Sequence, residues 1–371
     1  MSLLDRYLAR EILLPFAAGL LFLTQLLLAT QLLAQANLLF GAGVSLLDVG
    51  LVIVYLLPYF IGFVLPVAFL LGVVLGVSRL AADREVVAMG AAGLSPLRLL
   101  RVPLLLSLVT AALGLWLALV LEPAGMRAVR GLMNDIVKRN VTSEVRAGTF
   151  YERIPNYTVY AEGVDPGGWT HVLIHDRSNP SAPVLSLAQR GRLEPVGGGQ
   201  DMRLALDDGE IHREAVTSGD YALATFGRAE LVLGLGAAAD RAEGLSRNAR
   251  EITVAETYQR IAAAYAAGKP KDAWRIEGNL HRKVASALVV IAFALLGVAL
   301  GVSPRAGKAF GVGATLLIMV VHYMLLRAGQ QLVQGGRLPA WMGLEIGNLV
   351  VSAAGLALLW RLARRGTGAV R

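Results

Sequence analysis

The sequence predicts an α-helical polytopic membrane protein with six transmembrane helices, three on each side of an inserted β-sandwich or β-jelly-roll domain. Residues 12–35, 51–78, 99–121, 284–302, 309–333 and 340–360 are apolar throughout. Each run is long enough to cross a hydrocarbon core about 30 Å thick, which needs about 20 helical residues. Between the third and fourth runs the chain becomes polar and its apolar residues fall into alternation. Composition agrees, with 55% hydrophobic and 17% charged residues and a mean hydropathy of +0.57; charged residues make up about a quarter of an ordinary soluble domain. The expected layout is residues 1–122 for three helices, 123–282 for the soluble domain and 283–371 for three more helices and a basic tail.

Residues 3–12 place Leu3, Leu4, Tyr7, Leu8 and Ile12 on one helical face, with Asp5, Arg6, Arg10 and Glu11 elsewhere. This reads as an interfacial helix leading into the first span. Ala34-Gln35-Ala36 has the small-residue pattern of a leader cleavage site. The apolar run before it exceeds the 7 to 15 residues or so of a leader, so retention is expected.

Orientation follows from the short loops, because Lys and Arg resist translocation there. Arg6, Arg10, Arg79, Arg84, Arg98, Arg101, Arg305, Lys308, Arg361, Arg364, Arg365 and Arg371 would all lie on one side, against Arg337 alone in the opposite short loops. Both termini are therefore expected in the cytoplasm and residues 123–282 outside. The net charge of +8 is explained by this sorting. A nucleic-acid surface would gather such residues into one patch. The absence of cysteine excludes disulfides, thiolate metal sites and thiol catalysis.

Within the spans, Pro58 and Pro66 should bend the second helix. Gly72-x-x-x-Gly76 in the second helix and Gly297-x-x-x-Gly301 in the fourth offer surfaces for close helix approach. They fit packing within one protomer, contact between subunits, or a moving gate. Ionisable residues inside spans are few; away from the flanking Arg101 and from Arg327, just inside the fifth helix, they are His322 and Glu345. Gly301–Lys308 resembles a phosphate loop only superficially. It has five residues between its glycines where the motif has about four, and Ala309 stands where a magnesium-binding hydroxyl belongs.

In the soluble block Tyr157, Val159 and Ala161 alternate with polar neighbours, as do Met202, Leu204 and Leu206. Asp165–Gly168, Asn179-Pro180, Gly197–Gly199 and Asp208-Gly209 read as turns, and short strands with frequent turns suggest a sandwich or jelly roll. The apolar face carrying Leu204 and Leu206 is either a slot for acyl chains or a closed core. His171 and His175 would share a strand face, with His212 available to join them, yet exposed strand histidines rarely make a metal site. No nucleophile elbow or zinc-protease motif is present. Helical segments follow from Val254 to Ala267 and from Asp272 onward.

The loop between the second and third spans predicts a short helix at about residues 80–92, with Val86, Val87, Met89 and Gly90 toward one side. Gly93 should cap its C-terminus, and Ser95-Pro96 should start the third span.

Several passages in order now support a resemblance. They are Arg6-Tyr7-Leu8-x-Arg10-Glu11, Leu65-Pro66 with Leu71-Gly72, Glu85-x-x-x-Met89-x-Ala-x-Gly93-Leu-Ser95, and Gly148-x-Phe150. Glu277 with His281-Arg282, Pro304-Arg305-x-Gly307-Lys308, and Gly336-x-Leu338-Pro339-x-Trp341 continue the series. Together they resemble the LptF/LptG (YjgP/YjgQ) family of lipopolysaccharide exporters over nearly the whole chain.

The resemblance implies a permease, itself without catalysis or cofactor, in the inner membrane of a Gram-negative bacterium. It also implies pairing with a second LptF/LptG-type permease, an LptB-type ATPase dimer that uses ATP and Mg, and an LptC-type periplasmic protein. Lipopolysaccharide would pass from the membrane lipids to a periplasmic jelly-roll bridge. Glu85 falls on the family's coupling glutamate, with Arg84, Val86 and Met89 around it, and Arg282 on a basic position at the outer end of helix four. Where relatives carry Lys or Arg near the outer end of helix one, this chain has Gln31, Ala34 and Gln35, and Gly347-Asn348 replaces a common Pro-Asn. Gln31, Gln35, Arg282, Leu204 and Leu206 are the resulting candidates for lipid contact, and the Arg146–Phe150 passage points toward LptF. Two rivals are a membrane-anchored assembly scaffold without transport and an ion-coupled transporter; the latter calls for inverted repeats and midplane charges.

Overall fold

A computed structural model of the chain describes residues 2–34, 45–144, 147–152, 156–165, 167–177, 179, 182–196, 201–214, 221–233, 251–302 and 308–365. The chain divides into two compact units, one of Met1–Gln35, Ile53–Met126 and Ala249–Arg371, and one of Ala36–Val52 and Arg127–Asn248. The first is helical and the second holds a β-sheet. Among the described residues six helices are long and apolar enough to span a membrane.

Helix α1 (Leu3–Ala34) is continuous through Pro15, so the interfacial segment and the first span are one rod. Ser2 and Asp5 cap it reciprocally: the Ser2 amide donates to Asp5 Oδ2 at 2.9 Å and the Asp5 amide to Ser2 Oγ at 3.3 Å. Helix α2 (Leu46–Ala82) carries Pro58 and Pro66.

Both small-residue motifs serve packing within this chain. A Cβ at Gly72 would lie 2.7 Å from Phe16 Cβ, and one at Gly76 2.8 Å from the Glu11 carbonyl. The first motif therefore seats the start of α1. On α7 (Pro270–Gly301), a Cβ at Gly297 would meet Val73 at 2.8 Å and one at Gly301 would meet Val77 at 2.6 Å. Helix α2 is thus gripped on two sides, and Phe69, Leu70, Val73, Val77, Val290 and Phe293 are buried in the resulting cluster. With no hydrophobic drive between helices in lipid, such close van der Waals packing holds the bundle.

Between α2 and the third span lies α3 (Glu85–Ala91). The third span begins with a 3₁₀ turn at Pro96–Leu100 and continues as α4 (Arg101–Trp116), a π turn at Leu117–Leu121 and α5 (Glu122–Glu144). The π turn, invisible in apolar patterning, displaces the backbone ladder. Lys283 on α7 uses it: its Nζ donates to the Ala118 carbonyl at 3.2 Å and lies 3.3 Å from Glu122 Oε1, with both side chains 12% exposed.

After the sheet, α6 (Val254–Ala266) starts from a Thr253/Glu256 capping box, and the Tyr265 hydroxyl on it donates to Glu277 Oε1 on α7 at 3.0 Å. Helices α8 (Lys308–Gln334), α9 (Ala340–Gly343) and α10 (Ile346–Arg365) complete the bundle. The turn between α8 and α9 holds Gly336 at φ +68, where a Cβ would run into the Trp274 ring. Only glycine meets both demands there.

The sheet unit contains β1 (Thr149–Tyr151), β2 (Tyr157–Asp165), β3 (Gly168–Asp176), β4 (Val184–Val196), β5 (Asp201–Glu214) and β6 (Tyr221–Leu233). They pair antiparallel in chain order as one six-stranded sheet. The expectation of a β domain inserted between helices holds. The jelly-roll expectation reflects strand and turn spacing, which is local; neighbour order is not, and the described strands run up and down in a single sheet.

A line of missing pairs crosses this sheet. In the β2–β3, β3–β4, β4–β5 and β5–β6 ladders, pairing skips Glu162, His171, Gln189, Asp208 and Gly227 while the register on either side is unbroken. His171 and Asp208 have positive φ, 48° and 55°. The core-facing residues switch parity at the same line: Val172 and Trp169, and Leu206 and the core-side Gly209, each stand three apart where strict alternation would give two or four. The halves therefore turn their apolar residues into one cluster containing Val159, Ala161, Trp169, Ile174, Leu204 and Leu206. This corrects the reading of Asp208-Gly209 as a turn. The pair lies inside β5, where an Asp tolerates the left-handed conformation and Gly209 leaves no room for a Cβ against the Leu187 carbonyl. Gly197–Gly199 and Pro180 lie outside the described residues.

Candidate functional site

The best-defined polar constellation lies at the basic end of the helical unit, around α3. Helix α2 runs to Ala82, so the short helix is Glu85–Ala91 rather than about 80–92, because Leu80 is buried as part of the longer rod. The break is at Arg84, whose left-handed backbone (φ 58, ψ 13) turns the chain at a residue type that seldom adopts it. At the other end the Leu94 amide donates to the Met89 carbonyl and the Gly93 amide to the Gly90 carbonyl, both at 3.0 Å. With Gly93 at φ 82 this is a Schellman cap. Ser95 then accepts from the Leu97 amide with Pro96 following, as expected for the start of the third span.

These caps fix the orientation of the short helix. Val86 is 3% exposed in the cluster that includes Leu8, Leu80, Leu99 and Val102, and Met89 packs against it. Val87, expected on the same side, is exposed. Leu4, Val86, Met89, Leu94, Ser95, Arg98 and Leu99 line a small groove beside it.

Three polar ties run from the first turns of α1 to its neighbours. The Tyr7 hydroxyl donates to Glu85 Oε1 at 2.9 Å. Arg79, near the end of α2, donates to Glu11 Oε2 at 2.9 Å, and Arg98 pairs with the nearly buried Asp5 at 3.0 Å, with Arg101 3.9 Å away. Tyr7 and Glu11 belong to the Arg6–Glu11 motif, but their partners are not legible in it, since pairs separated by 78 and 68 positions leave no local signal.

The lipid candidates fall in both units. Gln31 is half-buried near the end of α1, and Gln35 lies outside the described residues. Arg282 sits half-buried on α7 beside Lys283, its carbonyl accepting from the Ser286 hydroxyl. Leu204 and Leu206, 0% and 1% exposed, belong to the sheet core. Of the histidines, His171 falls on the broken line and pairs with Glu162 at 3.0 Å, so it leaves the row of His175. It is His175 and His212 that both stand opposite Leu185. Among the described residues no three His, Cys, Asp or Glu converge on one point.

Gly347 and Asn348 both meet close neighbours. A Cβ at Gly347 would lie 3.1 Å from the ring of buried His322, which packs edge-on against Phe293 with centroids 5.6 Å apart. Asn348 donates to the Ala285 carbonyl at 3.0 Å and to Glu345 Oε2 at 2.6 Å, joining α10 to α7.

Six membrane-length helices interrupted by one β domain, among the described residues, define a polytopic membrane protein. The family model for lipopolysaccharide export system permease LptF/LptG matches residues 6–361, and the chain belongs to that family. The match does not separate LptF from LptG. No curated protein matches the chain.

Proposed function

We propose that the chain is one of two paired permease subunits of an ATP-driven exporter. The complex takes lipopolysaccharide from the inner membrane and passes it to a periplasmic bridge. In this reading both termini and α3 face the cytoplasm, the sheet unit is periplasmic, and an LptC-type protein completes the complex. An LptB-type ATPase dimer receives α3 in a groove, with Glu85 as the charged contact, Arg84 beside it, and Val86 and Met89 anchoring the helix from below.

The observation that carries the proposal is the anchoring of α3. A helix capped at its C-terminus, pinned by buried Val86 and tied to α1 through Tyr7 can pass a push to the spans. A purely structural anchor needs no such device. The lipid path would include Arg282 and Gln31 near the membrane's outer face and the apolar face at Leu204 and Leu206, which opens during transfer.

Co-expression with a second permease and the ATPase, followed by mass analysis of the purified complex and its lipid, tests this. A stable assembly carrying lipopolysaccharide is expected. Recovery of the chain without ATPase or lipopolysaccharide would favour a scaffold.

A further inference from the structure

Tyr7 is half-exposed on the first turns of α1, yet its hydroxyl is spent on one carboxylate oxygen of Glu85, 78 positions away. The backbone around that bond is fixed on both sides. Helix α1 is held by the Ser2/Asp5 cap, the Asp5 pair with Arg98 and the Glu11 pair with Arg79. Helix α3 is held by its Schellman cap and by Val86. Between two anchored backbones, a Glu with three side-chain torsions keeps its freedom unless something grips the carboxylate, and the Tyr7 hydroxyl does so at Oε1, leaving Oε2 to an incoming group.

We infer that Tyr7 is a positioning residue that presents the Glu85 carboxylate to a basic group of the ATPase, an inference that rests on the coupling role proposed for Glu85. The first turns of α1 are then part of the docking surface together with α3. Pre-ordering one rotamer-rich side chain is worth about three- to tenfold in affinity. Removing the hydroxyl should weaken docking by that factor while the ring keeps its packing.

The test compares wild type, Tyr7→Phe, Glu85→Ala and the double variant as full-length permease pairs in detergent. The ATPase dissociation constant and the thermal unfolding midpoint are read for each. Tyr7→Phe should bind about three- to tenfold more weakly with an unchanged midpoint, and the double variant should bind no more weakly than Glu85→Ala alone. Wild-type binding by Tyr7→Phe alongside a defect in Glu85→Ala would overturn the inference and leave the Glu85 reading standing. Independent, additive losses would overturn it as well, and so would a binding loss that tracks a lowered midpoint, which would make Tyr7 merely structural. Wild-type binding by Glu85→Ala would remove the coupling reading and the inference with it.

Discussion

In the Lys283–Glu122 pair both side chains are 12% exposed and the lysine also takes up the Ala118 carbonyl beside the π turn. Removing one partner of such a pair leaves the other charged and poorly solvated, at a cost of about 3 to 5 kcal/mol. Lys283→Met should therefore lower the unfolding midpoint in detergent markedly, and Lys283→Met with Glu122→Gln should recover much of the loss. Equal midpoints for the single and double variants would show that the carboxylate finds other solvation. Neither partner stood out in the sequence. The pairing depends on a π turn, and apolar patterning carries no trace of a one-residue change in helical register.

At the scale of elements, α3 and the sheet show what local sequence can and cannot specify. Gly93 and Ser95-Pro96 were legible because caps are written in adjacent residues, whereas the helix start was not. Arg84 breaks the chain in a conformation its residue type does not advertise. Gly93→Ala places its Cβ in open space, so its effect is purely that of backbone conformation, about 1 to 2 kcal/mol. Amide hydrogen exchange within α3 should accelerate roughly 5- to 30-fold, and an unchanged rate would mean the cap does not hold the helix. In the sheet, alternation located the strands, and the broken line was present as spacings of three. Only the register shows that these breaks align across neighbouring strands. If acyl chains enter between the apolar faces, a photocrosslinker at Leu204 should capture lipopolysaccharide during ATP turnover. One at Arg203, which points away to Glu230 at 3.2 Å, should capture less. Equal capture at both, or none at either, would identify a closed core.

For the whole molecule, the count of basic residues in short loops sets an orientation that labelling can check, and a chain without cysteine gives a clean background. Cysteines at Ser45 and Asn179 should react with an impermeant reagent from the periplasmic side, and one at Gly307 should not; labelling of Gly307 in intact cells would reverse the topology. Architecture was the most legible level in this sequence, since each span needs only length and apolarity. Packing was the least legible: each of the two glycine motifs fitted three kinds of contact until Phe16 and Val73 were found against them.

The central claim is that α3 transmits ATPase motion to lipid export through Glu85, and the most direct measurement is ATP-driven transfer of lipopolysaccharide by the reconstituted complex carrying Glu85→Ala. Stranding a basic partner costs about 2 to 5 kcal/mol, so ATPase recovery and transfer should each fall at least about tenfold while the permease pair keeps its unfolding midpoint. A charge reversal on the ATPase combined with Glu85→Arg should restore part of the transfer. Wild-type ATPase recovery and wild-type transfer by Glu85→Ala would contradict the account.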